Sequence, residues 1–253
     1  MTVKQTILAD WAVSPSIVAF STTREGGVSE PPFASFNLAT HVGDDSLRVV
    51  SNRALLKKLL PQHLEWQWLE QVHGNDVAVV NKAGPALTAD AMRTTRANLV
   101  CCVQTADCLP VFVAALDGTE VAVIHAGWKG LASGVIENTI SRMSTSASNL
   151  AVWLGPAIGF CHFEVGEEVR NCFLSTSGSP SLVLAMESCF VSSKNRGKFM
   201  ADLYAIARLK LTALGIDKIS GGDYCTYCDD DKFFSYRRDG VTGRMLSAIY
   251  IEA

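Results

Sequence analysis

Along the chain, apolar positions alternate between short continuous runs and stretches with helical spacing. Residues 17–21 (IVAFS) suit a strand, and the TTREGGVSEPP stretch behind them is turn-rich. Asp44, Asp45 and Ser46 are capping residues, and residues 46–60 repeat apolar side chains at helical spacing up to Pro61. Residues 66–72 (WQWLEQV) and 76–80 (DVAVV) are short strand candidates on either side of His73 and Gly74. The middle is the most apolar part. Residues 99–104 (LVCCVQ), 109–115 (LPVFVAA) and 120–125 (EVAVIH) read as three buried strands, with Asp117-Gly118 as a hairpin signal between the last two. Residues 130–143 place Leu131, Val135, Ile136, Ile140 and Met143 on one face of a single helix.

A short strand at 151–155, amphipathic helices at 166–174 and 202–215, and a closing strand at 244–251 complete the pattern, with Gly215 ending the second helix. Hairpins mixed with helical excursions, without regular strand–helix alternation, predict an α+β fold. The most linker-like stretch, residues 175–181 (STSGSPS), is too short to mark a boundary, so residues 1–253 are read as one domain. There is no internal repeat and no low-complexity tract.

Composition narrows the function classes. Of 253 residues, 48% are hydrophobic and 19% charged, which excludes a disordered or fibrous chain. A chain this long buries roughly three quarters of its unfolded surface and needs no covalent staple. With 22 basic and 25 acidic residues, the net charge of −3 gives no support for a nucleic-acid partner. No run approaches the ~18–20 apolar residues of a membrane span. The N-terminus has a lone Lys4 and no signal-peptide core, so the expected location is cytoplasmic. There the eight cysteines stay reduced and act as core residues, ligands or nucleophiles rather than bridges.

Three residues stand out as chemistry. His125 ends an apolar strand and is followed by Ala-Gly-Trp-Lys-Gly, which places it at a sheet rim; His73 lies in QVHGND between two strands; Cys108 lies in TADCLP, where Thr105 and Asp107 interrupt a buried segment. Two histidines and one cysteine from three elements suit a Zn²⁺ centre with an open fourth position, where a bound water is acidified. Cys108 and His125 also suit a thiolate–imidazole nucleophile pair, and a chelator separates the two readings. The bland alternative is a core cysteine beside two hydrogen-bonded rim histidines.

Asp107 is the nearest carboxylate for proton transfer. It adjoins Cys108 and reaches the same side only if the strand is interrupted at 106–110. Arg24 in its Arg-Glu-Gly-Gly turn, Lys129, Arg237 and Arg238 are candidates for binding a phosphate or another anion. Trp128, Phe233, Phe234 and Tyr236 offer rings for stacking a purine, although aromatics at such positions more often belong to the core. Cys225-Thr-Tyr-Cys228, followed by three aspartates, reads as a structural or incidental pair, and Cys161, Cys172 and Cys189 show no partner pattern. Five histidines and no His-x-His pair exclude a multicopper oxidase centre, which needs about ten histidine ligands.

The runs STTREGGVS, FNLATHVGDD, WLEQVHGNDV, TADCLPV, VAVIHAGWKGLASGV, LGPAIGFCHFEVG and FFSYRRDGVTGRM resemble the YfiH family, and they follow its order from residue 21 to about residue 245. Members carry the labels laccase-domain protein, polyphenol oxidase, peptidoglycan editing factor and purine nucleoside phosphorylase. The resemblance implies a single α+β domain with mixed β-sheets packed between helices, related to the cytotoxic-necrotizing-factor-like cysteine hydrolase fold. It implies Zn²⁺, with copper as the alternative, held by His73, Cys108 and His125. It implies that Arg24 and Arg237 or Arg238 border the pocket.

The activities it implies are phosphorolysis of adenosine, inosine and methylthioadenosine, and adenosine deamination. The alternatives are a hydrolase removing misincorporated L-serine from peptidoglycan precursors and a copper-dependent, laccase-like polyphenol oxidase. The expected partners are small molecules, a purine nucleoside and phosphate, with no nucleic acid and no membrane, for a monomer or small homo-oligomer. The sequence departs from the family where Phe160 replaces the last proline of GPAIGP, which leaves the shape of that loop open.

Overall fold

The structure, a computed structural model, describes residues 6–253. Residues 1–5, on which part of the N-terminal reading rests, lie outside the described residues. In chain order the elements are β1 (Thr6–Leu8), β2 (Ile17–Thr22), α1 (Ser46–Lys58), β3 (Glu65–Gln67), β4 (Leu69–Glu70), β5 (Val77–Val79), β6 (Leu87–Thr88) and β7 (Ala91–Thr94). The central strands β8 (Leu99–Thr105), β9 (Leu109–Ala115) and β10 (Val121–Ala126) lead into α2 (Trp128–Ser133) and α3 (Val135–Arg142). Then come β11 (Leu150–Leu154), β12 (Glu164–Gly166), α4 (Glu167–Thr176), α5 (Pro180–Glu187), β13 (Phe190–Ser192), β14 (Lys198–Ala201), α6 (Leu203–Ala213), β15 (Lys218–Gly221), α7 (Tyr236–Asp239) and β16 (Met245–Ile251).

Two large mixed sheets stack face to face. One has the order β1-β2-β16-β8-β3, the other β15-β11-β9-β10-β7-β5. A three-stranded sheet, β12-β14-β13, and a two-stranded pair, β4-β6, lie beside them. Strand alternation divides the core. Along β8, Leu99, Cys101 and Val103 face the space between the sheets, whereas Val100 and Cys102 face the layer that holds Leu56 of α1. Along β9, Phe112 and Ala114 face the other sheet, whereas Val111 and Val113 face α2 to α6. The outcome is an α+β sandwich with helices outside both sheets.

The sequence pattern anticipated most of these elements. Asp45 caps α1 by accepting from the Leu47 N–H, and the β9–β10 hairpin turns at Gly118, φ 81°. The single helix expected at 130–143 is two helices, because the chain breaks at Gly134, φ 90°, where the left-handed region favours glycine. Leu131, Val135, Ile136, Ile140 and Met143 still enter one core. The linker-like 175–181 stretch instead joins two helices, with Ser179 capping α5 through the Leu182 N–H. Among the described residues, no helix is long and apolar enough to cross a membrane.

Candidate metal centre and its cavity

Three connections bring the candidate donors together. The β8–β9 turn sets Cys108 just before β9, and Asp107 within it has φ 92°. The chain therefore leaves the strand where a break was needed for Asp107 and Cys108 to share one region. His125 sits at the end of β10, one residue before the strand stops. His73 lies in the β4–β5 connection with φ 59°.

The donor atoms of His73, Cys108 and His125 all lie within 4.8 Å of one another. Cys108 Sγ is 3.9 Å from His73 Nε2, and the two imidazoles meet edge to face with centroids 4.8 Å apart. His125 is buried, Cys108 half-buried and His73 exposed, so the group opens to solvent on one side.

Asp90, immediately before β7, organises both histidines. Its Oδ1 lies 2.8 Å from His125 Nδ1, and the backbone N–H groups of His73 (2.9 Å), Gly74 (2.6 Å) and Val72 (3.2 Å) donate to the same carboxylate. The main chain adds a bond from His125 N–H to the Asp90 carbonyl, 2.7 Å. Burial works against the Asp90 charge, but these donors outweigh it and hold the carboxyl below its usual range. With Nδ1 turned to Asp90, His125 presents Nε2 to the cavity.

Burial also opposes the Cys108 thiolate, yet the His125 and His73 imidazoles bring its pKa down to about 6. Burial favours a neutral His125 ring, yet Cys108 and Asp90 raise it to about 9. Each of the two groups thus stabilises the charge of the other.

These residues fit a metal ion. One thiolate and two imidazoles from three elements are donor types that suit zinc or copper, and a set of three ligands leaves a further position for solvent or substrate. The backbone makes room for it. A Cβ on Gly127 would stand 3.0 Å from Cys108 Sγ and 3.2 Å from His73 Cδ2. A Cβ on Gly130 would stand 2.8 Å from the Gly74 carbonyl, so α2 can lie against the His73 loop only with glycine there.

The donors line a cavity of about 650 Å³. Lys129, Arg237 and Arg244 bring positive charge to it, and Trp128, Phe163 and Tyr236 bring rings. Arg237 lies over Phe163, 5.3 Å from its centroid, and donates to the carbonyls of His162 and Glu164. Asp107 also lines the cavity. Its Oδ1 accepts from Thr226 Oγ1 at 2.6 Å, and its Oδ2 from the Arg237 backbone N–H at 2.7 Å.

Arg24 and Arg238 are not brought to the cavity. Arg24 donates to the carbonyls of Ala34 and Asp230 and lies over the Phe234 ring. Arg238 donates to the carbonyls of Thr226, Tyr227 and Phe233 and pairs with Asp239. Phe233 and Phe234 are fully buried, so of the four aromatic candidates only Trp128 and Tyr236 face the cavity. Sequence reasoning missed Asp90 and the cavity residues His41, Gln71, Gln104 and Arg244. His41, Gln71 and Arg244 stand in the runs FNLATHVGDD, WLEQVHGNDV and FFSYRRDGVTGRM, but no local pattern singles them out within those runs.

Residues 18–252 match the family described as multi-copper polyphenol oxidoreductase laccase. A Shigella flexneri protein named purine nucleoside phosphorylase YfiH is 43% identical over 246 residues, covering 97% of this chain and 98% of its own length. The chain belongs to the YfiH family. A Pseudomonas aeruginosa member named purine nucleoside phosphorylase is 44% identical over 247 residues, covering 96% of this chain and 97% of its own. The solved structure of a Neisseria meningitidis protein superposes with a TM-score of 0.91 at 41% identity, over 99% of this chain and 100% of that one. The YfiH protein of Bacillus licheniformis has a TM-score of 0.88 at 28% identity, over 99% of this chain and 98% of that one. Within this YfiH-family chain, Phe160 points outward at 39% exposure. Its loop stays joined to the centre through the Ile158 N–H and the Asp107 carbonyl, 3.0 Å.

Proposed function

We propose that the chain is a zinc-dependent enzyme of purine nucleosides. It cleaves adenosine, inosine and methylthioadenosine with inorganic phosphate, and it deaminates adenosine. The observation that carries this reading is one cavity combining a Cys/His₂ donor set, cationic side chains and ring surfaces. The name purine nucleoside phosphorylase on relatives at 43–44% identity supports it.

In phosphorolysis a phosphate oxygen bonds the ribose C1′ while the C1′–N bond breaks, and the base nitrogen keeps the electron pair and takes a proton. Lys129 and Arg237 hold the phosphate, because a dianion in a partly dehydrated cavity needs charge-assisted donors. Trp128 and Tyr236 orient the base by stacking. Asp107 is a positioning residue in this scheme, since both its oxygens already accept hydrogen bonds and one of them fixes the Arg237 backbone. His73, Cys108 and His125 hold the zinc, which supplies Lewis acidity when bound. Chromatography of free base released by zinc-loaded protein tests the reading. Release of adenine or hypoxanthine that requires phosphate supports it, and absence of both base and ammonia refutes it.

The alignment of Asp90, His125 and Cys108 favours one second reading. An oriented imidazole beside a thiol of lowered pKa is the arrangement of a cysteine hydrolase. Such an enzyme would cleave an amide, for which a serine-containing peptidoglycan precursor is the candidate. Its activity survives chelation and is lost on thiol alkylation.

A further inference from the structure

Four potential ligands outside the cavity meet on the far side of its wall. Cys161 and His162 come from the loop after β11, and Cys225 and Cys228 from the turn after β15. Read along the chain, Cys161 had no partner pattern and the Cys225/Cys228 pair looked incidental. In the fold their donor atoms all lie within 4.8 Å of one another. Cys161 Sγ is 3.7 Å from Cys225 Sγ and 3.5 Å from Cys228 Sγ. His162 Nδ1 is 3.2 Å from Cys161 Sγ and 3.3 Å from Cys228 Sγ.

We propose that Cys161, His162, Cys225 and Cys228 form a structural Zn²⁺ site of the Cys₃His type, separate from the Cys/His₂ centre. A tetrahedral ion with Zn–S near 2.3 Å and Zn–N near 2.0 Å places sulfurs about 3.8 Å apart and sulfur and nitrogen about 3.5 Å apart. The four separations in the chain are close to that frame. The Cys225 sulfur is also prepared as a thiolate ligand. The N–H of Gly159 donates to it at 3.2 Å, and the N–H groups of Tyr227 and Cys228 point at it from the Cys-x-x-Cys turn. The imidazole is oriented by stacking on Tyr227, with centroids 3.9 Å apart and planes at 11°. A disulfide is the competing use of these thiols, but one bond joins two sulfurs and leaves the third thiol and the imidazole without a role.

The site would act as a clamp behind the cavity wall. It joins the loop whose His162 carbonyl receives Arg237 to the turn whose Thr226 hydroxyl donates to Asp107. Arg238 donates to the Thr226 and Tyr227 carbonyls of that turn at 2.8 and 3.0 Å. The ion would thus fix the relative position of Arg237 and Asp107 while touching neither.

The test is the zinc content of full-length protein purified under reducing conditions, by elemental analysis and native mass spectrometry. Expected are two zinc ions per chain in the wild type, one in His73→Ala, one in Cys161→Ser/Cys228→Ser, and none in the combination. His162→Cys, which restores a fourth ligand, is expected to keep the second ion, and His162→Ala to weaken it. In the His73→Ala background, Co²⁺ substitution should give the sulfur-to-metal charge-transfer bands of a multi-thiolate tetrahedral site. A wild type with one ion that His73→Ala removes entirely would overturn the proposal. So would recovery of a Cys161–Cys228 disulfide from freshly reduced, zinc-exposed protein. Neither result bears on whether the Cys/His₂ centre processes nucleosides, so the two readings fail separately.

Discussion

His125 Nδ1 and Asp90 Oδ1 lie 2.8 Å apart, and both side chains are withdrawn from solvent. The same carboxylate accepts the backbone N–H of His73 and Gly74. One buried aspartate therefore sets two of the three donors, one through its ring and the other through its main chain.

Replacing Asp90 by Asn puts an N–H₂ where backbone donors converge and removes the charge that fixes the His125 tautomer. Metal affinity at the Cys/His₂ centre is expected to fall about 10–100-fold, the usual cost of losing such a partner. Unmet donors around the site should lower stability by about 2–4 kcal/mol. Competition with a chromophoric chelator and denaturant unfolding read the two effects. Unchanged affinity would mean that Asp90 does not position the donors.

Gly127→Ala separates site geometry from folding. The residue has φ −66°, which alanine adopts freely, so the fold should survive with little change in Tm. The added methyl group would press on Cys108 Sγ and His73 Cδ2. The expected outcome is reduced metal occupancy in a normally folded protein, seen by elemental analysis and circular dichroism.

Lys129 and Arg237, two of the three cavity cations, should behave differently. Lys129 Nζ lies 5.7 Å from the Trp128 ring centroid, whereas Arg237 is tied to two carbonyls of the 162–164 segment. Lys129→Met is expected to raise the KM for phosphate about 10–100-fold, the worth of one charge-assisted hydrogen bond, with Tm unchanged. Arg237→Met should raise KM and also lower Tm. Steady-state kinetics at varied phosphate, with thermal unfolding, distinguish them.

Thiol reactivity follows from burial. Burial pushes Cys101 up to about 12 and Cys189 up to about 11, and it raises Cys102 further. A raised thiol pKa means a smaller thiolate fraction at any pH below it. At pH 8 Cys101 is therefore held as the unreactive thiol. Peptide mapping after brief alkylation of the native protein should find exposed Cys172 modified and Cys101 and Cys102 untouched. Labelling of Cys101 without unfolding would contradict the packing described.

The legible and illegible parts of the molecule differ in range. The strands around Cys101 and Val111 were readable because a buried sheet needs continuous apolar runs, and the position of His125 followed from where such a run stops. Asp90 was not readable. It stands between Ala89 and Ala91 with no local pattern, and its partners lie 16 to 35 residues away. The Cys161/Cys225/Cys228 group was hidden for the same reason, since 64 residues separate the first two. Arg24 and Arg238 looked like anion binders because a sequence shows a charge but not the carbonyls around it. The split at Gly134 was missed because the apolar spacing continues through it.

The most direct test of the central claim is phosphorus NMR of the products formed from inosine and inorganic phosphate. It compares zinc-loaded protein with the same protein stripped by chelation and then reloaded. A ribosyl phosphate ester should appear with the loaded protein, vanish after stripping and return on reloading. It should be absent with His125→Ala. Turnover that persists unchanged in the stripped protein, or no ester at any metal loading, would contradict the account.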